Sequence, residues 1–141
     1  MKHADGDPFV LDTSAVLALI ESEGGADRVE HLLRHEQPLI PFVVMLEVYY
    51  LSLQSRGQAV ADERHSMLKS MPAVSLNEMD EATLLAAAKI KAAHPLSLAD
   101  AMIAGFALRH GGILVHKDPE YEVLRHQIRL EALPYKSRRH R

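Results

Sequence analysis

The sequence predicts an α/β sandwich, a mostly parallel sheet covered by helices. Two observations carry that expectation. Short apolar runs alternate with stretches of helical periodicity along the chain. The connections between the apolar runs are also too long for hairpins, and parallel strands need crossovers of that kind.

The elements follow in order. Residues 9–11 (Phe-Val-Leu) read as a short buried strand. Ser14 is expected to cap a first helix over the apolar run 15–20, which Gly24-Gly25 breaks. Val29, Leu32 and Leu33 recur at helical spacing within 26–35. Residues 38–40 read as a strand or connection, after which Pro41 opens, as its first residue, a helix to about Arg56, closed by Gly57. A further helix over 59–69 carries Val60, Arg64, Met67 and Leu68, and Pro72 stops it. Residues 73–76 predict a strand. Asn77 is then expected to cap a helix over 78–93 that Pro95 ends. Ser97 begins an apolar, small-residue helix that finishes before Gly111-Gly112. Residues 113–115 form the next strand, Asp118-Pro119 starts a turn or short helix with Tyr121 and Leu124, and 128–130 is the last strand. From Pro134 the chain is a basic tail, expected to fray.

A chain of 141 residues suits one domain, taken here as 1–135, with a basic C-terminal tail at 136–141. With 48% hydrophobic and 25% charged residues it reads as globular, neither disordered nor membrane-like. The absence of cysteine excludes disulfides, thiolate zinc sites and a cysteine nucleophile, and it fits a cytoplasmic protein. Asp5 and Asp7 interrupt the apolar run that a secretory signal would need. The most apolar stretch, 39–53, is shorter than a membrane span and carries Glu47. A net charge of −3 argues mildly against nucleic acid, whose phosphates favour basic partners. The distribution argues the other way: Lys117, Arg125, Arg129, Lys136, Arg138, Arg139 and Arg141 gather late in the chain.

Four acids stand beside apolar segments. Asp12 and Asp118 each follow a strand, where open α/β sheets bind ligands, although each could equally open a turn. Glu47 lies in a helix apolar on nearly every face, so it must be partly buried, either in a site or in an ion pair with an arginine. Asp100 lies near the start of the Ser97–His110 helix, where the helix dipole alone would favour it. Gathered in one place, four carboxylates repel one another unless a cation is present. An all-oxygen ligand set suits Mg²⁺ or Mn²⁺. Such cations support phosphodiester cleavage by activating water and stabilising the leaving oxygen.

At this point the sequence resembles the PIN-domain family, and within it the VapC-type toxins of bacterial toxin–antitoxin pairs. The resemblance runs from Phe9 to about Leu133. It rests on Val-Leu-Asp-Thr-Ser-Ala-Val (10–16), Glu47 in its apolar helix, Ser-Leu-Ala-Asp-Ala-Met-Ile-Ala (97–104) and Val-His-Lys-Asp-Pro-Glu-Tyr (115–121). It implies a PIN-like three-layer α/β/α sandwich and a metal-dependent endoribonuclease. It also implies that Asp12, Glu47, Asp100 and Asp118 form the acidic pocket. In that pattern Asp12 and Asp100 are the principal Mg²⁺ ligands, with Mn²⁺ as the alternative ion. Asp118 completes the site, and Glu47 holds a metal or its water. Ser14 matches a hydroxyl position beside the first Asp. A homodimer and a small antitoxin that covers the cleft are further implications.

One segment departs from the family. Where Thr or Ser followed by Asn or Arg is usual before the last acid, this chain has His116-Lys117. His116 is read as a strand-end histidine, with contact to substrate or phosphate as the alternative. His94, His110 and His126 lack ligand spacing. Lys117, Arg125 and the tail arginines are candidates to steer an RNA backbone, a solvated basic face being the commoner explanation of such residues. Two rivals stand beside the nuclease. An aspartyl-phosphate phosphohydrolase would want a second Asp two residues after Asp12, where Ser14 stands. The other is a non-catalytic PIN-like module that binds RNA or protein. DNA as substrate is separated from RNA by the family analogy alone.

Overall fold

Phe9–Leu11 forms strand β1, an unbroken apolar triplet that is buried along its whole length. In the computed structural model, which describes residues 6–136, four more strands join it. They are β2 (Leu39–Pro41), β3 (Val74–Leu76), β4 (Ile113–His116) and β5 (Arg129–Ala132). All pair in parallel, in the order β3-β2-β1-β4-β5. Between them run helices α1 (Thr13–Ile20), α2 (Ala26–His35), α3 (Phe42–Arg56), α4 (Gln58–Ser70), α5 (Glu81–Ala93) and α6 (Leu98–Arg109), and a short 3-10 turn covers Pro119–Leu124. The expected mostly parallel α/β architecture is therefore present. Every strand predicted from the apolar runs exists, within two residues of its expected bounds.

The first and fourth strands are central. β1 and β4 are buried at every residue, the pattern of a parallel strand covered on both faces. They run side by side, Leu11 opposite Val115, and the Asp12 N–H continues the ladder to the Val115 carbonyl at 3.1 Å. The residues that follow the two strands thus emerge together at the carboxyl end of the sheet. The core under them includes Leu32, Val44, Ile103, Phe106 and Leu114. α3 packs against α1, α4 and α6, and α5 lies against α6. The last contact is close enough to need glycine: a Cβ on Gly105 would stand 2.9 Å from the Ala87 Cβ and 3.0 Å from its backbone. Among the described residues no helix is long and apolar enough to cross a membrane.

Three element starts differ from expectation. Asp12, not Ser14, caps α1: its backbone is extended and its carboxylate accepts the Ala15 N–H. Asp80, not Asn77, caps α5 by accepting from Thr83 N–H, so that helix begins at Glu81. Asn77 lies directly after β3, and the chain needs the intervening residues to leave the sheet. Pro41 is not the first residue of α3. It closes β2 in register with Leu76, since its fixed φ suits extended backbone as well as helix. The tail arginines Arg138, Arg139 and Arg141 lie outside the described residues, as does most of the 136–141 tail.

Candidate functional site

Asp12 is the residue that leaves β1, and its side chain is almost wholly buried, 2% exposed. Both oxygens are occupied. Oδ1 accepts the Ala15 N–H and the Ser14 hydroxyl, each at 2.8 Å, and the same hydroxyl reaches Oδ2 at 2.9 Å. Ser14 Oγ in turn accepts the Lys117 backbone N–H at 2.8 Å. That single oxygen ties the residues after β1 to those after β4. Burial is the main force on Asp12 and pushes its pKa up to about 7. The charges of Asp100 and Asp118 push the same way, against the Ala15 N–H and the Ser14 hydroxyl.

Asp100 stands in the first turn of α6, whose cap is Ser97 as expected: the Ser97 hydroxyl accepts the Asp100 N–H. Its carboxylate is half-buried and receives the Tyr121 hydroxyl at 3.1 Å. Burial again dominates and lifts its pKa to about 6. Tyr121 lowers it, and Asp118 and Glu47 raise it. Asp118 begins the 3-10 turn as its cap, and its Oδ1 accepts the Glu120 N–H at 2.9 Å. Glu47 is half-buried on α3, and its partner is the Thr13 hydroxyl at 2.6 Å, not an arginine.

Asp12 and Asp100 each feel the charge of Asp118, Asp100 acts on Asp12, and Glu47 acts on Asp100, so the four predicted acids lie near one another but not equally. The tightest group is Asp100, Asp118 and Glu120, each with an oxygen within 4.8 Å of the others. Asp12 and Glu47 are outside that group, close enough for their charges to act on it. Glu120 was not singled out from the sequence. Its signal is its place two residues after the Asp of an Asp-Pro turn, where a cap folds the next acid back beside it. Thr13, the partner of Glu47, was also missed. It directly follows Asp12 and is buried.

Among the basic residues, Lys117 departs from expectation. Lys117 is not free to steer a polyanion. Its side chain is 6% exposed, its ammonium donates to the Gly24 carbonyl at 2.8 Å, and it pairs with Glu23 at 3.5 Å. Arg125 remains exposed and donates to the Glu122 carbonyl. His116 is the last residue of β4, the strand-end place expected of it, and is wholly buried, with no surface open to a substrate. Its Nδ1 accepts the Asp118 N–H at 3.1 Å.

An all-oxygen cluster of this kind matches a hard divalent cation. Asp100 and Asp118 each keep one carboxylate oxygen unused by the hydrogen bonds above, and Glu120 is exposed. Burial, with a smaller push from the neighbouring acids, raises Asp12 and Asp100, and a cation held between the carboxylates would offset both.

Known proteins share this arrangement of elements. The structure is similar to VapBC2 from Rickettsia felis bound to a DNA fragment from their promoter. There the TM-score is 0.74 at 14% identity, covering 89% of this chain and 98% of that one. It is similar to DNA-bound VapBC from Salmonella typhimurium, TM-score 0.72 at 22% identity, with the same coverage of 89% and 98%. It also resembles VapBC-1 from nontypeable Haemophilus influenzae, TM-score 0.69 at 19% identity, covering 88% and 96%. No curated protein matches the chain in sequence. The family model of the PIN domain matches residues 9–127, a span that contains all five acids described above, and the chain belongs to the PIN-domain family.

Proposed function

We propose that this chain is a Mg²⁺-dependent endoribonuclease and the toxin of a toxin–antitoxin pair. The observation that carries the reading is the convergence of Asp100, Asp118 and Glu120 within 4.8 Å beside a buried Asp12. Membership of the PIN family and the VapBC names of the structural neighbours support it. Asp100 and Asp118 would hold the cation with Glu120, and Asp12 and Glu47 would complete the negative wall. Mg²⁺, or Mn²⁺ in its place, would supply an activated water and stabilise charge on the phosphate.

The chain's own residues prepare that chemistry. Ser14 and the Ala15 N–H hold Asp12 so that it cannot rotate away. Thr13 holds Glu47. Tyr121 keeps one oxygen of Asp100 engaged and leaves the other for a ligand. Asp100, half-buried and raised by that burial to about 6, is suited to accept a proton near neutral pH.

The test is cleavage of a structured RNA, and of its DNA counterpart, in Mg²⁺. Loss of RNA cleavage in Asp100→Asn and in excess chelator is expected, and activity that persists in either sinks the reading. DNA cleaved as fast as RNA would reassign the substrate. Calorimetry that detects no Mg²⁺ or Mn²⁺ binding would favour a non-catalytic binding module. A homodimer, an antitoxin partner and a cytoplasmic location belong to the same proposal. Sedimentation of the purified chain, and co-purification with the product of a neighbouring small reading frame, check the first two.

A further inference from the structure

His116 and Tyr121 sit beneath the acidic cluster, and both are fully buried. Their rings lie 5.1 Å apart, centroid to centroid, tilted by 59°. Each holds a different acid. His116 Nδ1 accepts the Asp118 N–H at 3.1 Å, and the Tyr121 hydroxyl donates to Asp100 Oδ1 at 3.1 Å. The Tyr121 N–H also returns to the Asp118 carbonyl at 3.2 Å, which closes the turn around the pair.

An Nδ1 that accepts a backbone N–H fixes the neutral ring with its proton on Nε2. That Nε2 has no partner among the described residues. A buried donor left unpaired is a penalty that a phenyl ring would avoid. What the imidazole adds at this position is therefore its other nitrogen, the one on Asp118. Asp100 comes from α6 and Asp118 from the end of β4. Apart from packing, the hydrogen bonds that join them among the described residues run through Tyr121, and the His116 ring tilted against it takes the Asp118 N–H.

We infer that His116 and Tyr121 are a positioning pair that presets the Asp100–Asp118 spacing for a divalent cation. The inference rests on reading the cluster as a cation site. Neither residue touches the ion: both act through the acids they hold, as outer partners of metal ligands do.

Mn²⁺ alone is the probe, titrated calorimetrically at fixed pH, with thermal midpoints recorded for each variant. His116→Phe keeps the ring and deletes the acceptor. His116→Asn restores an acceptor near the Nδ1 position. Tyr121→Phe deletes one hydroxyl. Outer partners of metal ligands are worth about 10–100-fold in affinity, so His116→Phe and Tyr121→Phe should each weaken Mn²⁺ binding by about tenfold. His116→Asn should recover most of that loss. A folded His116→Phe that binds Mn²⁺ as tightly as the wild type overturns the inference, even if its midpoint falls, because that is the mark of a purely structural residue. Should His116→Phe not fold, Tyr121→Phe decides: unchanged or tighter binding overturns the inference, since removal of a donor without loss of position would strengthen Asp100 as a ligand. A wild-type chain that binds no Mn²⁺ at all overturns the cation site itself, a different result from variants that match a binding wild type.

Discussion

Replacing Asp12 by Asn is expected to stabilise the ion-free protein at pH 8 while weakening its hold on a cation. The magnitude follows from burial. The Asp12 carboxyl moves from its ordinary 3.8 to about 7 in the folded chain, chiefly through desolvation. Each unit is worth 1.36 kcal/mol, so ionising Asp12 costs the native state about 4 kcal/mol once the pH exceeds its folded value. The sign is set by the direction of the shift. Between 3.8 and about 7 the native state holds a proton that the unfolded chain has lost. Stability therefore falls as the pH rises through that window and levels off above it. Asn carries no charge to desolvate. Its Oδ1 can take the Ala15 N–H in place of the carboxylate and its Nδ2 can donate to Ser14 Oγ, and Asn caps helices about as well as Asp. The expected gain at pH 8 is about 2–4 kcal/mol, a midpoint rise of roughly 6–12 °C for a chain of this size. Urea and thermal denaturation at pH 5 and pH 8 in EDTA measure it. The wild type should lose stability between the two pH values and Asp12→Asn should not, and added Mg²⁺ should narrow the gap at pH 8 by stabilising the wild type. A wild type equally stable at both pH values in EDTA, or a variant no more stable than it at pH 8, would refute the reasoning.

Other perturbations separate the site from the scaffold. Glu120→Gln removes one charged oxygen from the group of three and should weaken Mn²⁺ binding by about tenfold with no change in thermal midpoint, because the residue is exposed. Equal affinity on calorimetry would place Glu120 outside the cation's reach. Gly105→Ala drives a methyl into Ala87 at 2.9 Å and should lower stability by about 1–3 kcal/mol in urea, through separation of α5 from α6. Arg64→Leu leaves Glu21 and the Ser52 hydroxyl without the buried guanidinium that contacts them at 3.2 and 3.1 Å. With Glu21 about a third exposed, the loss should be about 1–3 kcal/mol, less than for a fully buried pair, and measurable by urea denaturation.

The parts of the fold legible in the sequence are those governed by contiguous hydrophobicity. β1 and β4 are short runs of apolar residues that end in polar ones, a length and flanking that favour a buried strand over a helix. The starts of α1 and α5 were less legible because two polar residues stood close together at each. Whether Asp12 or Ser14, or Asn77 or Asp80, becomes the cap depends on the last residue that the sheet holds, which is a tertiary matter. The four acids were legible through the apolar company they keep. Glu120 was not, since an exposed acid in a turn looks like any other, and it joins the cluster only through the fold-back at Asp118. Lys117 shows the converse. A lysine beside a candidate site reads as a phosphate contact, yet this one is turned inward by Glu23 and the Gly24 carbonyl, partners almost a hundred residues earlier.

The order of strands has a consequence for when the site comes into being during synthesis. The Val115 carbonyl that aligns Asp12, and the Lys117 N–H that anchors Ser14, are made some hundred residues after it. Until β4 has been synthesised and inserted beside β1, the first acid has no neighbour strand on that side, and Asp118 and Glu120 do not yet exist. A nascent chain interrupted before that point lacks the assembled cluster. Whatever this site does to its substrate, it begins only after β4 and the residues that follow it have been made.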